Sequence, residues 1–128
     1  MSFEEAEALR ERAQAFLRNA ERLMAEEVWD LAAFSIEQYC QLLLKHKLLL
    51  KTGTYPRTHS LVRLIRHLGT GAQKLGALLQ DENSLVLLTK IEDAYIAARY
   101  LPRQHEPLEV RSMLRFAKEV FGPIVEQL

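Results

Sequence analysis

The stretch from Trp29 to Lys51 is the feature that most constrains this chain. It is rich in leucine, and its apolar residues recur at spacings of three and four, which is the period of a helix with a buried stripe. The stripe consists of Ala33, Ile36, Cys40, Leu43 and Leu44. Asp30 is predicted to cap the start of this helix, and Gly53 to end it. Because a helix that is apolar on most sides usually lies inside a bundle, we expect the other helices to pack around it.

The remaining sequence predicts helices on both sides of this stretch. Residues 3–26 form an amphipathic pattern, and a short connection predicts an antiparallel hairpin with the central helix. Residues 52–58 read as a loop, 59–68 as a short helix, and 69–82 as a short helical turn on a flexible connection. A further helix is predicted from an Asn83 cap to Tyr100, and a last one from Pro107, with a kink or frayed end at Gly122-Pro123.

No stretch alternates with a period of two, and no hairpin turn appears. The sequence therefore predicts an all-α fold in a single domain over residues 1–128. Its expected architecture is an antiparallel bundle of four to five helices, with a short helix after the long helical hairpin.

Composition restricts the function classes. Seventeen basic and seventeen acidic side chains cancel, so no global field draws the chain to nucleic acid or anionic lipid, although a local basic patch is compatible with this balance. The single cysteine, Cys40, is predicted to be a core residue and suits a reducing compartment. With no signal-peptide pattern and no apolar run of about twenty residues, we expect a cytoplasmic protein that does not enter a membrane.

Familiar catalytic motifs are absent from the sequence. It contains no GxGxxG, P-loop, paired CxxC, HExxH or GxSxG. Its four histidines are dispersed, and none has a carboxylate or cysteine at metal-ligand spacing. The sequence therefore predicts neither a metal site nor a cofactor.

The first polar feature surrounds His59, at the predicted junction of a loop and a helix. Arg57 and His59 lie where backbone N–H groups and the positive end of a helix dipole favour an anion such as phosphate. The alternative is that the polar residues here only cap the helix and fix the loop.

The second feature is the segment from Arg99 to His105. It places Arg99, Tyr100, Arg103 and His105 on a turn between two predicted helices. An arginine can hold a phosphate bidentately while a histidine moves a proton. The alternative is that Arg99 caps carbonyl groups at the end of its helix.

The third feature is a stripe of Gln38, Gln41 and Lys45 on the central helix. It either lines a polar cleft or forms the solvated side of an otherwise buried helix.

An ordered set of residues resembles the HEPN domain, the "higher eukaryotes and prokaryotes nucleotide-binding" family. The set comprises Trp29-Asp30, Ala33-Phe34, Gln38, Lys45, Gly53, Pro56, Thr58-His59-Ser60-Leu61, Leu64 and Ala98-Arg99-Tyr100. The resemblance implies a helical bundle that commonly dimerises. It also implies a possible partner, since many prokaryotic members are encoded beside a minimal nucleotidyltransferase in a toxin–antitoxin-like pair.

Active members of the family are metal-independent RNases. Their motif is an arginine, a polar residue and then a histidine, with four to six residues between arginine and histidine. Arg99 and His105 fit this spacing, with five residues between them. Tyr100 stands where a small polar residue is usual, Pro102 falls inside the motif, and Gln41 replaces a glutamate usual in the branch that this chain resembles.

Three functions remain open at this point. The first is a nucleotide- or RNA-handling module, acting with a nucleotidyltransferase, in which Lys45, His59, Arg99 and His105 converge on one cleft. The second is an endoribonuclease that uses Arg99 and His105 as its catalytic pair. The third is a structural dimerisation module. A homodimer is expected in each case, because the central helix has more leucines than one inward face needs, namely Leu42 and Leu48 to Leu50.

Overall fold

The computed structural model describes residues 3–69, 72–100 and 105–128, without the side chains of residues 98–100. All regular structure in these ranges is helical, which confirms the predicted all-α fold. The helices are α1 (Phe3–Ala25), α2 (Trp29–Thr52), α3 (Leu61–Leu68), α4 (Gln73–Ala77), α5 (Glu82–Tyr100), α6 (Pro107–Phe116) and α7 (Gly122–Glu126). A π-helical turn (Ala117–Phe121) joins α6 to α7. None of the described helices is long and apolar enough to cross a bilayer.

Helix α2 lies at the centre of the bundle, as predicted, and contacts α1, α3, α5, α6 and α7. Its pairing with α1 is antiparallel. Asn19 near the end of α1 donates a hydrogen bond to the Ser35 hydroxyl at 3.1 Å. His46 near the end of α2 lies with Nδ1 2.7 Å from the carbonyl oxygen of Ala6.

The apolar stripe of α2 forms the middle of the core. Ile36, Leu43 and Leu44 have no exposed surface, and Cys40 is buried among them as predicted. The extra leucines of this helix mostly join the core as well, since Leu48 and Leu49 are buried. Of the four leucines that suggested a homodimer, only Leu50 is exposed. The homodimer stays a prediction, and most of its sequence argument is accounted for within one chain.

The start of α2 differs from the prediction. Val28, not Asp30, is the residue before the first helical position, and it makes no side-chain cap. Asp30 lies inside the first turn, where its carboxylate accepts hydrogen bonds from His105 instead. The predicted cap was wrong because this carboxylate has a partner from another part of the chain.

The starts of α3 and α5 also differ from their predicted positions, by two residues in each case. Helix α3 begins after Ser60, whose hydroxyl accepts the N–H of Arg63 at 3.2 Å. For α5, Asp81 rather than Asn83 accepts an N–H of the first turn, that of Ser84, at 2.9 Å. In both cases the residue whose side chain faces back onto the first turn provides the cap.

The last helical segment does not fray at Gly122-Pro123, because α7 continues from Gly122 to Glu126. The N–H of Gly122 donates to the carbonyl of Ala117, five residues earlier, which makes the turn wider than an α-helical one. Pro123 has no N–H, and in a regular helix its ring would clash with the carbonyl four residues before it. The wide turn allows the helix to continue through the proline.

Helix α5 runs antiparallel to α2. The ring of Tyr95 lies 6.2 Å from that of Phe34, and Glu92, one turn earlier in α5, lies close enough to influence Glu37, one turn later in α2. The end of α5 therefore comes to the start of α2. The start of α6 joins them there through the contact of His105 with Asp30.

Candidate functional site

An aspartate–histidine pair lies at the junction where α2 and α6 begin and α5 ends. Oδ1 of Asp30 accepts a hydrogen bond from the backbone N–H of His105 at 2.7 Å, and lies 2.8 Å from Nδ1 of its ring. His105 immediately precedes the α6 region, yet it is only 6% exposed. The sequence predicted a position on a turn between two helices, and the structure shows Asp30 holding His105 through both its backbone N–H and its ring.

The chemistry of the pair follows from the carboxylate. An ionised carboxylate only accepts hydrogen bonds, so Nδ1 of His105 carries the proton that lies between the two groups. This contact fixes the ring orientation and the tautomer. Nε2 is then the ring nitrogen that the Asp30 contact leaves for proton transfer, as a base in the neutral ring and as an acid in the charged one.

The other residues of the predicted motif are only partly within the described structure. Arg99 and Tyr100 lie in the last turn of α5, and their side chains are outside the description, as is all of Arg103. Arg99 follows Tyr95 by four residues, about one helical turn closer to the junction. The convergence of Arg99 and His105 on one phosphate remains a prediction.

The start of α3 is docked onto α5 by Glu92. Its Oε1 accepts the backbone N–H of Leu61 at 2.6 Å and that of Val62 at 3.4 Å. The sequence predicted an anion such as phosphate at this helix start, and the anion found there is the chain's own carboxylate. Arg57, in the preceding loop, is exposed.

His59 belongs to a stack of aromatic rings beside this helix start. Its imidazole lies on the ring of Tyr95, with centroids 3.9 Å apart and planes at 20°. Tyr95 in turn lies 6.2 Å from Phe34, with planes at 29°. His59 is exposed, while Tyr95 and Phe34 are half-buried, so the stack leads from the surface toward α2.

The polar stripe of α2 is a chain of hydrogen bonds centred on Glu37. Its two carboxylate oxygens accept from the amides of Gln38 at 2.6 Å and Gln41 at 2.7 Å. Gln41 accepts in turn from Lys45 Nζ at 2.8 Å. Glu37 has no exposed surface and Gln41 only 4%. The interpretation of this stripe as a solvated helix face was therefore wrong for Gln41, which is buried with Glu37, while Gln38 and Lys45 are half-buried.

Burial sets the electrostatics of this chain. It raises the pKa of Glu37 from 4.5 to about 7, against the opposing effects of its hydrogen bonds and of Lys45. The nearby carboxylate of Glu92 raises the pKa of Glu37 further. Burial also lowers the pKa of Lys45, although the charge of Glu37 opposes that change.

Lys45 lies next to Tyr55, which lines a surface cavity. Its ammonium group is 5.3 Å from the ring centre of Tyr55, within the range of a cation–π contact. A cavity of about 410 Å³ adjoins this ring, lined by Leu48, Thr52, Thr54, Tyr55, Pro56 and His67. No group of three or more histidine, cysteine, aspartate or glutamate residues that could hold a metal ion occurs in the described ranges.

Comparison with protein families shows which family this chain belongs to. The HEPN domain matches residues 6–128, nearly the whole chain. The chain belongs to the HEPN family. A comparison with curated proteins found no match. Membership supports the coarse prediction of a nucleotide- or RNA-handling module.

In this HEPN domain, several residues of the site were not predicted from the sequence. Asp30 was interpreted as a cap, and Glu92 was not singled out. Asp30 and His105 are 75 residues apart, and Glu92 is 31 residues from Leu61. The position of Glu92 in α5, three residues before Tyr95, is the one local signal that both could face the same neighbour.

Proposed function

We propose that this HEPN protein binds RNA at the junction of α2, α5 and α6, and cleaves it there without a metal ion. Arg99 would hold the scissile phosphate, and His105 would move a proton. The observation that carries the proposal is the contact of Asp30 with His105, at 2.8 Å. A carboxylate on Nδ1 fixes the tautomer in which Nε2 can exchange a proton, and this is an arrangement that a general acid or base can use.

The reaction uses the 2′-hydroxyl of the RNA as the nucleophile. Its oxygen attacks the phosphorus and loses a proton, while the 5′-oxygen leaves and gains one. The products are a 2′,3′-cyclic phosphate and a free 5′-hydroxyl. His105 Nε2 would take or give one of these protons, and the guanidinium of Arg99 would offset the charge that develops on the phosphate oxygens.

Asp30 would act as a positioning residue, since it contacts the imidazole and not the RNA. Asp30→Asn retains the shape and an accepting oxygen but removes the charge. We expect it to lower kcat and to leave KM nearly unchanged, because the groups that bind RNA remain. A structural role alone would not separate these two constants.

The test is cleavage of a mixed RNA pool in EDTA. His105→Ala and Arg99→Ala should each reduce cleavage, His105→Ala by about 10²–10⁴-fold. His67→Ala and Arg111→Ala are matched controls, since both residues are exposed on the surface. Because His105 is buried, circular dichroism of each variant must show a folded helical protein. Equal residual cleavage by the wild type and all variants would indicate a contaminant and refute the proposal.

A second candidate is a non-catalytic module that handles nucleotides or RNA with a separately encoded minimal nucleotidyltransferase, in a toxin–antitoxin-like pair. Tyr100 favours it, because a bulky residue follows Arg99 where active members have a small polar one. In this case Arg99 and His105 would bind a phosphate without cleaving RNA. A neighbouring gene for a nucleotidyltransferase, and a complex of the two purified chains, would support this function. RNA cleavage that depends on His105 would exclude it.

A further inference from the structure

The stack of His59, Tyr95 and Phe34 is a rigid aromatic surface. Glu92 fixes the start of α3 by accepting two backbone N–H groups, those of Leu61 and Val62. The hydroxyl of Thr58 accepts the N–H of Ser60 at 3.1 Å, which closes the turn around His59. The imidazole is thereby held on Tyr95 before any ligand arrives. A preorganised ring loses little conformational entropy when a ligand stacks on it.

The charges around the stack favour a nucleobase over a phosphate at this position. A helix start normally attracts a phosphate, but the N–H groups at the start of α3 already bind the Glu92 carboxylate. A phosphate placed there would meet a negative charge. A nucleobase is uncharged and needs a flat aromatic face, and single-stranded RNA is commonly recognised by stacking on histidine, tyrosine or phenylalanine.

The stack is also close to the proposed phosphate site. Phe34 follows Asp30 by four residues in α2, which is about 6 Å along the helix. On the other helix, Arg99 follows Tyr95 by the same number of residues. Asp30 and Arg99 are therefore each about one helical turn nearer than the stack to the junction that holds His105. A base on the stack would therefore belong to a nucleotide near the phosphate that His105 and Arg99 are proposed to bind.

We infer that His59, supported by Tyr95 and Phe34, forms the binding site for one unpaired nucleobase of single-stranded RNA. This inference rests on the proposed function, since it places the base next to the proposed phosphate site. Stacking tolerates any base, because every base has an aromatic face. The site would thus favour an unpaired nucleotide at this position rather than a particular sequence.

The experiment measures binding of a short single-stranded RNA that carries 2-aminopurine at one position at a time, in EDTA, with the full chain. The 2′-hydroxyls of this RNA are methylated, so the proposed cleavage cannot occur during the measurement. In the wild type, fluorescence should be quenched at one position, where the base stacks. His59→Ala should weaken binding by about 5- to 150-fold, the range that stacking contributes per base, and should abolish the quenching. His59→Phe keeps an aromatic ring and should stay within about twofold of the wild type.

Two controls separate stacking from charge. His67→Ala removes another exposed histidine and should leave binding unchanged. The salt dependence of binding should be the same in His59→Ala as in the wild type, because no phosphate contact is lost. If wild-type and His59→Ala proteins bind equally well, the inference is wrong while the proposed function stands. If the wild type binds no single-stranded RNA, both are wrong.

Discussion

Glu37→Gln should make the protein more stable, and increasingly so as the pH rises. The wild-type carboxyl group has no exposed surface and accepts hydrogen bonds from the amides of Gln38 and Gln41. Burial raises its pKa from 4.5 to about 7. Glutamine has nearly the same shape, and its carbonyl can accept from Gln41 while its amide donates to a rotated Gln38.

The size of the change in stability follows from the pKa values of Glu37 in the unfolded chain and in the folded protein. Each tenfold change in proton affinity corresponds to about 1.4 kcal/mol, so a rise from 4.5 to about 7 corresponds to about 3 kcal/mol. The raised pKa means that the folded protein binds the proton more tightly than the unfolded chain. The stabilisation that comes from this tighter proton binding is complete below about pH 4.5 and is lost as the pH rises through about 7. The predicted quantity is the free energy of unfolding of Glu37→Gln minus that of the wild type. This difference should be about 3 kcal/mol larger at pH 8 than at pH 4.5.

Urea unfolding followed by circular dichroism at several pH values measures this difference. In thermal unfolding at pH 8, the gain corresponds to a rise in Tm of roughly 10 °C for a domain of this size. Glu11→Gln, at an exposed position of α1, is the control. It should change the free energy of unfolding by no more than about 0.5 kcal/mol at any of these pH values. A stability difference between Glu37→Gln and wild type that is the same at pH 5 and pH 8 would refute the reasoning.

Three further predictions concern the helices and the assembly. Gly122→Ala should destabilise the protein by about 1–3 kcal/mol in urea unfolding, because a Cβ there would overlap the buried Tyr39 hydroxyl. Gly76→Ala is the control and should be neutral or stabilising, since Gly76 has open space around it. Equal effects of the two substitutions on stability would contradict this explanation. Glu92→Ala should cost about 0.5–2 kcal/mol through loss of the α3 cap, whereas Asp93→Ala, at an exposed neighbouring position, should cost little. The protein should sediment as a homodimer at micromolar concentration, and a monomer would exclude that prediction.

The sequence predicted the helices well because helix formation is a local property. The spacing of Ile36, Cys40 and Leu43 repeats within one element, and residues such as Gly53 end an element where they stand. The central position of α2 followed for the same reason, since its composition alone shows that most of its circumference must be buried.

The site was harder to predict because its contacts join distant parts of the chain. Asp30 has the composition and position of a cap, and no local pattern shows that a histidine 75 residues later competes for its carboxylate. Glu37 and Gln41 look like solvated residues, because burial of a polar group depends on partners that only the folded helix brings into range. His59 was predicted to be functional, but its support by Tyr95 depends on the packing of α3 against α5.

The wide turn at residues 117–121 affects how the length of the last helical segment can vary. Such a turn contains one residue more than an α-helical turn, so losing a residue there would restore ordinary hydrogen bonds without rotating the helices on either side. In a continuous helix such as α2, the same deletion would rotate every later side chain by about 100°. Pro123 opposes that deletion, because a proline inside a regular helix costs about 3 kcal/mol or more. The extra residue and the proline are therefore expected to occur together in related chains and to be lost together.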